Sequence, residues 1–377
     1  MKFTATIVQR RLTNYRVPLF ERMREQLAEH GVRLRVLHGD AQAAELSKHD
    51  GGTLPWAEHL PTRYMLSGRL CWQPFMQLAR GSDLIVLTQE NKLVNNLPLL
   101  LAGRRPERIA FWGHGRNMQS RTEHSLRESF KRWTSGRVDW WFAYTALSAG
   151  LVQAAGFPPQ RITVLDNSID TDALVAAVAQ ARLKAPTATL RTALGLADAP
   201  TGVFIGSLYG EKRLPFLIAA AQALRQRVPG FQLAIAGAGP DEALVQAASA
   251  NNPGIRFLGR VQGERKAELL ACADVMLNPG LVGLGILDAF AAGLPLVTTD
   301  CGLHSPEVCY LQDGVNGFMT PDTLDDFVAA CEALLSGTSL CKRVSHHAAQ
   351  SAGRYSLQNM AERFSAGILA CLAQPPR

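Results

Sequence analysis

Asn278–Glu307 reads N-P-G-L-V-G-L-G-I-L-D-A-F-A-A-G-L-P-L-V-T-T-D-C-G-L-H-S-P-E. An apolar strand ends just before it at about Leu277, a Gly-punctuated turn follows, Gly285–Ala292 reads as a helix, and Pro295–Thr299 reads as the next strand. The alternation extends outward. Upstream, strands at Gly202–Gly206, Gln232–Ala236, Ile255–Leu258 and Val275–Leu277 interleave with helices at Leu214–Arg227, Asp241–Ala250 and Lys266–Ala273; downstream, Leu324–Leu335 has a helical period. Lys184–Pro200 reads as a connector holding one short helical piece. Before it the pattern occurs a first time. Phe3–Gln9, Val32–Leu37, Asp83–Thr88, Arg108–Trp112, Trp140–Tyr144 and Val164–Leu165 read as strands; Pro18–His30, a stretch near Leu93–Ala102, Ser120–Trp133 and Thr171–Leu183 read as helices. Repeated strand–helix alternation predicts an α/β protein of two halves, each a parallel sheet with helices on both faces. The halves join near Asn167–Leu183, with one cleft expected between them. Leu357–Leu372 is an amphipathic helix with no strand after it.

The 377 residues suit two domains, and a composition of 47% hydrophobic and 19% charged residues excludes a fibrous or largely disordered chain. No apolar run approaches the ~20 residues of a membrane-spanning helix, and Arg10 and Arg11 follow the first strand where a secretory signal would be apolar. A soluble, cytoplasmic protein is expected. The seven cysteines are scattered and form no C-x-x-C pair, which speaks against a disulfide framework or a zinc site. Charge is uneven. Residues 1–168 hold 23 Lys and Arg against 14 Asp and Glu, a charge of +9, whereas the remainder carries −2. The first half is therefore expected to meet something anionic. Arg104–Arg137 concentrates nine basic residues against three acids, with Trp133, Trp140 and Trp141 within or just after it. That mixture fits a surface docking on anionic lipid headgroups; nucleic-acid binding and an ordinary solvated helix are the alternatives.

The turn before Gly285 has the residues a diphosphate site needs. Gly280 and Gly283 let backbone N–H groups converge, and the helix N-terminus adds partial positive charge. Asp288, one turn into the helix, is placed to accept hydrogen bonds from a ribose diol. The alternative is a tight turn followed by a solvated acid. Gly237-Ala238-Gly239-Pro240 is read as a turn only, because G-x-G alone is weak evidence for phosphate binding. His114 lies in Trp112–Asn117 at the carboxyl end of a strand, where open α/β sheets place ligands; its flanking glycines suggest close ligand approach, and a structural histidine is the other reading. Asp170-Thr171-Asp172 is formally D-x-D, but it opens a helix and is read as a cap. No metal or other cofactor is expected.

Gly280–Val297 resembles the donor motif of the GT-B glycosyltransferases of family 4 (glycosyl transferases group 1). In that motif two acids are separated by seven residues. Asp288 matches the second, Gly280 stands at the first, and Pro279–Leu284 is similar to a P-G-x-V-G-L variant. The resemblance implies a GT-B fold of two doubly wound Rossmann-like domains facing across a cleft. Residues 1–168 would form the acceptor-side domain, 169–355 the nucleotide-sugar domain, and 356–377 a helix packing back on the first. It implies retaining transfer of a sugar from a nucleotide-diphosphate sugar to a glycan or lipid-linked acceptor, in cell-surface polysaccharide or glycoconjugate biosynthesis, with the enzyme peripheral on the inner face of the membrane. Lys212 matches the lysine facing the diphosphate, and Ser207 stands at the usual arginine. Gly283 and Leu284 would supply amides, Asp288 would hold the ribose, and Phe257–Val261 would carry the base through backbone atoms, Val261 included. Asn167–Asp170 is similar to the N-G-[IV]-D turn and reads as a hinge. Glu307 braces the donor loop or caps a helix. His114 and Lys212 are the catalytic candidates; Tyr15, Arg16 and Arg116 are assigned to the acceptor or membrane side. Nucleic acid is not an expected partner. The rival functions are a sugar-nucleotide epimerase and a non-catalytic nucleotide-sugar or RNA-binding protein of the same scaffold.

Overall fold

The computed structural model describes residues 1–46, 50–90, 92–101, 108–115 and 136–375. Ser120–Trp133, Arg116 and most of the basic Arg104–Arg137 stretch fall outside them. The chain divides into two compact units, residues 1–170 joined by the segment from Leu357 onward, and Thr171–Ser356.

The first unit is built on a parallel seven-stranded sheet. Its strands are β1 (Phe3–Gln9), β2 (Val32–His38), β3 (Glu58–His59), β6 (Leu84–Thr88), β7 (Arg108–Gly113), β8 (Trp140–Ala143) and β9 (Ile162–Val164), ordered 3-2-1-6-7-8-9. A separate antiparallel hairpin, β4 (Arg63–Met65) and β5 (Leu70–Trp72), interrupts the series. The central strands are near-continuous apolar runs because both faces are covered. On one face Ile7, Val36, Val86, Trp112 and Phe142 meet Phe20 and Met23 of the helix Val17–Glu29 and Met360, Phe364 and Ile368 of the helix Leu357–Ala373. On the other, Val8, Leu37, Leu87, Phe111 and Trp141 form a second core with Leu99, Leu100 and Phe157. The helix from Leu357 thus completes the first unit although the whole second unit precedes it in sequence.

The second unit has a parallel six-stranded sheet: β10 (Thr201–Ile205), β11 (Gln232–Ala236), β12 (Ile255–Phe257), β13 (Val275–Leu277), β14 (Leu296–Thr299) and β15 (Gly317–Thr320), ordered 12-11-10-13-14-15. The order reverses between β10 and β13, so the loops after these two strands diverge at the carboxyl edge, the place where open α/β sheets take ligands. The expected strands and helices of this half are present, several with the same ends. Several elements were not expected, among them β3 and the β4–β5 hairpin of the first unit and three others. β15 is a four-residue edge strand opened by glycine. The helix Thr338–Arg354 buries only Val344 and Ala348, so few apolar residues mark its inner face. The helix Ala146–Ala154, in the first unit, is nearly all small or apolar residues. The helix after Asp170 begins at Asp172 with Thr171 as N-cap, and the Thr171 side chain makes no capping bond. No described helix is long and apolar enough to cross a membrane.

Glycines in two helices should respond oppositely to alanine. At Gly367 a Cβ would stand 2.5 Å from Thr163 Oγ1 and 2.7 Å from Phe142 Cε1, because this helix lies flush on β8 and β9. At Gly150, in the helix Ala146–Ala154, nothing lies within 4 Å. Gly367→Ala is expected to lower stability by about 1–3 kcal/mol despite the gain in helix propensity. Gly150→Ala should raise it by about 0.5–1 kcal/mol. Denaturant unfolding of both variants checks the pair, and a stabilised Gly367→Ala would contradict the flush packing.

Candidate functional site

The loop after β13 is held from below before it offers anything to a ligand. Leu281 N donates to Glu211 O at 2.8 Å, and Asn278 Nδ2 donates to Leu281 O at 3.2 Å. Gly280 makes this possible. A Cβ there would fall 2.3 Å from Glu211 O and 2.7 Å from Lys212 O, so two loop backbones meet where any side chain would collide. Val282 N donates to His304 Nδ1 at 3.1 Å, and Ser305 N donates to Val282 O at 2.9 Å. Because Nδ1 accepts, the His304 proton sits on Nε2, which donates to Thr299 O at 2.8 Å.

Beyond Val282 the pattern changes. The amides of Gly283, Leu284 and Gly285 find no acceptor among the described residues, and all three residues are only half-buried. They open the helix Gly285–Ala292, whose N-cap is Leu284 and lacks a capping side chain. Polar caps normally absorb such orphan donors. Here the donors and the positive end of the helix dipole are left facing outward. Ser305 stands beside Gly283, its Oγ 3.4 Å from where a Cβ would be, and leads into the turn Pro306–Tyr310, which buries Glu307.

Lys212 lies on the one-turn helix Gly210–Lys212 after β10, and its Nζ donates to Leu281 O in the loop after β13. Burial pushes its pKa down to about 8. Arg213 follows with φ 55°, a left-handed conformation unusual outside glycine. Its guanidinium donates to Pro279 O at 3.3 Å and Thr299 Oγ1 at 3.0 Å and pairs with Asp322. The loop therefore has an amide ladder on one side and a cation brace on the other.

Asp288 is 8% exposed, and its Oδ1 accepts from Lys266 Nζ at 2.7 Å. Lys266 belongs to the helix Gly263–Cys272. The pair leaves Oδ2 able to accept from an incoming hydroxyl. Ser207 is exposed at the end of β10, and its neighbours are pinned: Gly206 N donates to Ala236 O and Leu208 N to Ala238 O. Gly237 and Gly239 allow that approach, since Cβ atoms there would lie 1.9 Å from Gly206 O and 2.2 Å from Leu208 O. Val261 is buried after β12.

In the first unit, His114 is exposed just past β7, with its ring edge-on to Tyr144 at 4.3 Å. The glycines beside it have a different purpose from the one expected. A Cβ at Gly113 would meet Gln89 Cβ at 3.0 Å and one at Gly115, where φ is 74°, would meet Val152 Cγ2 at 2.8 Å. They admit the protein's own side chains. Arg16, expected on the acceptor side, is buried. Its guanidinium lies over Trp112 at 4.9 Å and Tyr15 at 5.2 Å and donates to Asn167 Oδ1 at 2.7 Å. It braces the β1 loop against the Asn167 turn, while Tyr15 remains partly exposed. Arg116 lies outside the described residues. Lys266, Arg213 and His304 were not singled out from sequence. Each acts through a partner 22 or more positions away, and no local motif signals such a pairing.

Residues 199–337 match the family model described as Glycosyl transferases group 1. A phosphatidyl-myo-inositol mannosyltransferase of Mycolicibacterium smegmatis is 31% identical over 162 residues, 41% of this chain and 41% of that protein. A sulfoquinovosyl transferase of Arabidopsis thaliana is 23% identical over 194 residues, 50% of this chain and 36% of that protein. The chain thus spans less than half the length of either relative. Among solved structures, Anabaena HepE in complex with UDP superposes with a TM-score of 0.71 at 17% identity, covering 97% of this chain and 99% of that one. The chain has the two-domain α/β GT-B fold, and the stretch that carries the loop, Lys212 and Asp288 is the one matching the glycosyl transferases group 1 family.

Proposed function

We propose that the protein is a retaining glycosyltransferase that takes a sugar from a nucleoside-diphosphate donor. The observation that carries this reading is the set of three unpaired amides at Gly283, Leu284 and Gly285, beside a loop that holds the Lys212 ammonium. Bond breaking at the anomeric carbon builds negative charge on the departing diphosphate, and preorganised amides, the helix dipole and Lys212 stabilise that charge. With those donors in place the reading needs no metal. Asp288 accepts from the ribose through Oδ2 while Lys266 holds Oδ1. Ser207, Val261 and Glu307 line or support the donor. His114 is assigned a hydroxyl of the transferred sugar. Retention follows if the leaving diphosphate itself takes the acceptor proton on the face it vacates. The UDP bound in the HepE structure makes uridine the first base to test, and the phosphatidyl-myo-inositol in the name of the mannosyltransferase makes a lipid-borne acceptor the first acceptor to test.

Calorimetric titration with UDP and GDP, and nucleoside-diphosphate release from their sugar conjugates with lipid-linked acceptors, test the reading directly. Binding of neither nucleotide overturns it. Lys212 supplies a pH signature. With a free-protein pKa of about 8, the group is charged below that value and neutral above it. UDP affinity should therefore fall as pH rises through about 8. Lys212→Met should lower affinity at neutral pH by about 1–3 kcal/mol and abolish the step. A step that persists in the variant belongs to another group.

Gly280→Ala provides a second test. Its Cβ would collide with the Glu211–Lys212 backbone. The variant should remain folded yet bind UDP about 1–3 kcal/mol more weakly, since the amide ladder and Lys212 are displaced together. Titration beside a thermal melt separates these effects, and unchanged affinity would remove the loop from the site.

A further inference from the structure

The hairpin formed by β4 and β5 exposes large apolar residues on its outward face. A solvated hairpin turns apolar residues inward and polar ones outward. Here the inward positions are Tyr64 and Cys71. Tyr64 OH accepts from Arg10 Nη1 at 3.0 Å and donates to Asp40 O at 2.8 Å, and Cys71 is fully buried. The cross-strand partners Arg63 with Trp72 and Met65 with Leu70 occupy the opposite face. Trp72 is 43% exposed and Leu66, at the tip, 68%. Met76 and Leu78 are exposed in the turn that follows. Between Glu58 and Asp83 the sequence contains Arg63, Arg69 and Arg80 and no acid. All three arginines are exposed, and none has an ion-pair partner among the described residues.

We propose that the outward face of this hairpin, with the turn to Arg80, is a docking surface for an anionic lipid bilayer. Aliphatic tips and an indole enter the headgroup boundary, while unpaired guanidinium groups meet phosphate or carboxylate above them. A second copy of the chain is disfavoured. A two-fold contact through the hairpin would oppose the same arginines with no acid between them. Single-stranded nucleic acid would call for a row of aromatic platforms, whereas this face offers one, Trp72, beside the aliphatic Met65 and Leu66. The surface uses none of the residues assigned to the donor and none of the Arg104–Arg137 stretch.

Sedimentation of the full chain with vesicles tests the proposal. The protein should pellet with phosphatidylcholine–phosphatidylglycerol vesicles, more weakly with phosphatidylcholine alone, and less as salt rises. The double variant L66S/W72S should lose about tenfold or more in partitioning while retaining UDP binding and its thermal midpoint. Leu66→Asp alone serves if the double variant fails to fold. No pelleting of the wild type with mixed vesicles, or equal pelleting of a folded variant, overturns the proposal. So does a dimer in gel filtration that the variant converts to monomer without any vesicle binding.

Discussion

Everything at the candidate site rests on a contact between two backbones. Gly280 lets the loop after β13 lie directly on Glu211 and Lys212, and Leu281 N closes the contact on Glu211 O. That contact fixes where Lys212 can reach and which amides remain for an external partner. The amides of Leu281 and Val282 are consumed by the protein, and those of Gly283 to Gly285 are not. The absent acid at position 280 is therefore part of the geometry. The loops approach too closely for any side chain to stand between them at that position.

The electrostatics follow from the same packing. Lys212 is desolvated, which makes its charge conditional and strengthens its attraction to an anion that shares its low-dielectric surroundings. Asp288 is also largely buried, but Lys266 compensates it. The two groups behave differently toward a donor. One has an unmet demand for negative charge, and the other offers only directional acceptance. Arg213 adds no free charge, because Pro279 O, Thr299 and Asp322 absorb it.

The layers of the fold were readable because buried parallel strands are apolar runs and the intervening helices carry a period. Reading failed where burial is slight or the element is short, as at β15 and the helix Thr338–Arg354. At the candidate site, the Gly-rich turn and Asp288 could be read from the strand-to-helix junction, whereas Lys212 was reached only through the family resemblance. Their supports could not be read. Lys266, Arg213 and His304 reach partners across the sheet edge, and nothing local marks them. The glycines around His114 show the opposite failure: a signal for close approach was present, but the approaching atoms belong to Gln89 and Val152. Glycine reports crowding without naming what crowds it.

The helix Leu357–Ala373 has a consequence for how the chain is made. It covers the face of the first sheet that carries Trp112, Trp140 and Phe142, yet it leaves the ribosome only after the entire second unit. During synthesis the part of that aromatic face beneath Leu357–Ala373 stays bare while about half the polypeptide is translated, an interval of roughly ten seconds or more at about 5–20 residues per second. The first unit therefore matures last. The nascent chain carries a large sticky surface of the kind that holdase chaperones capture, and shortening the chain by its final helix would extend that exposure indefinitely.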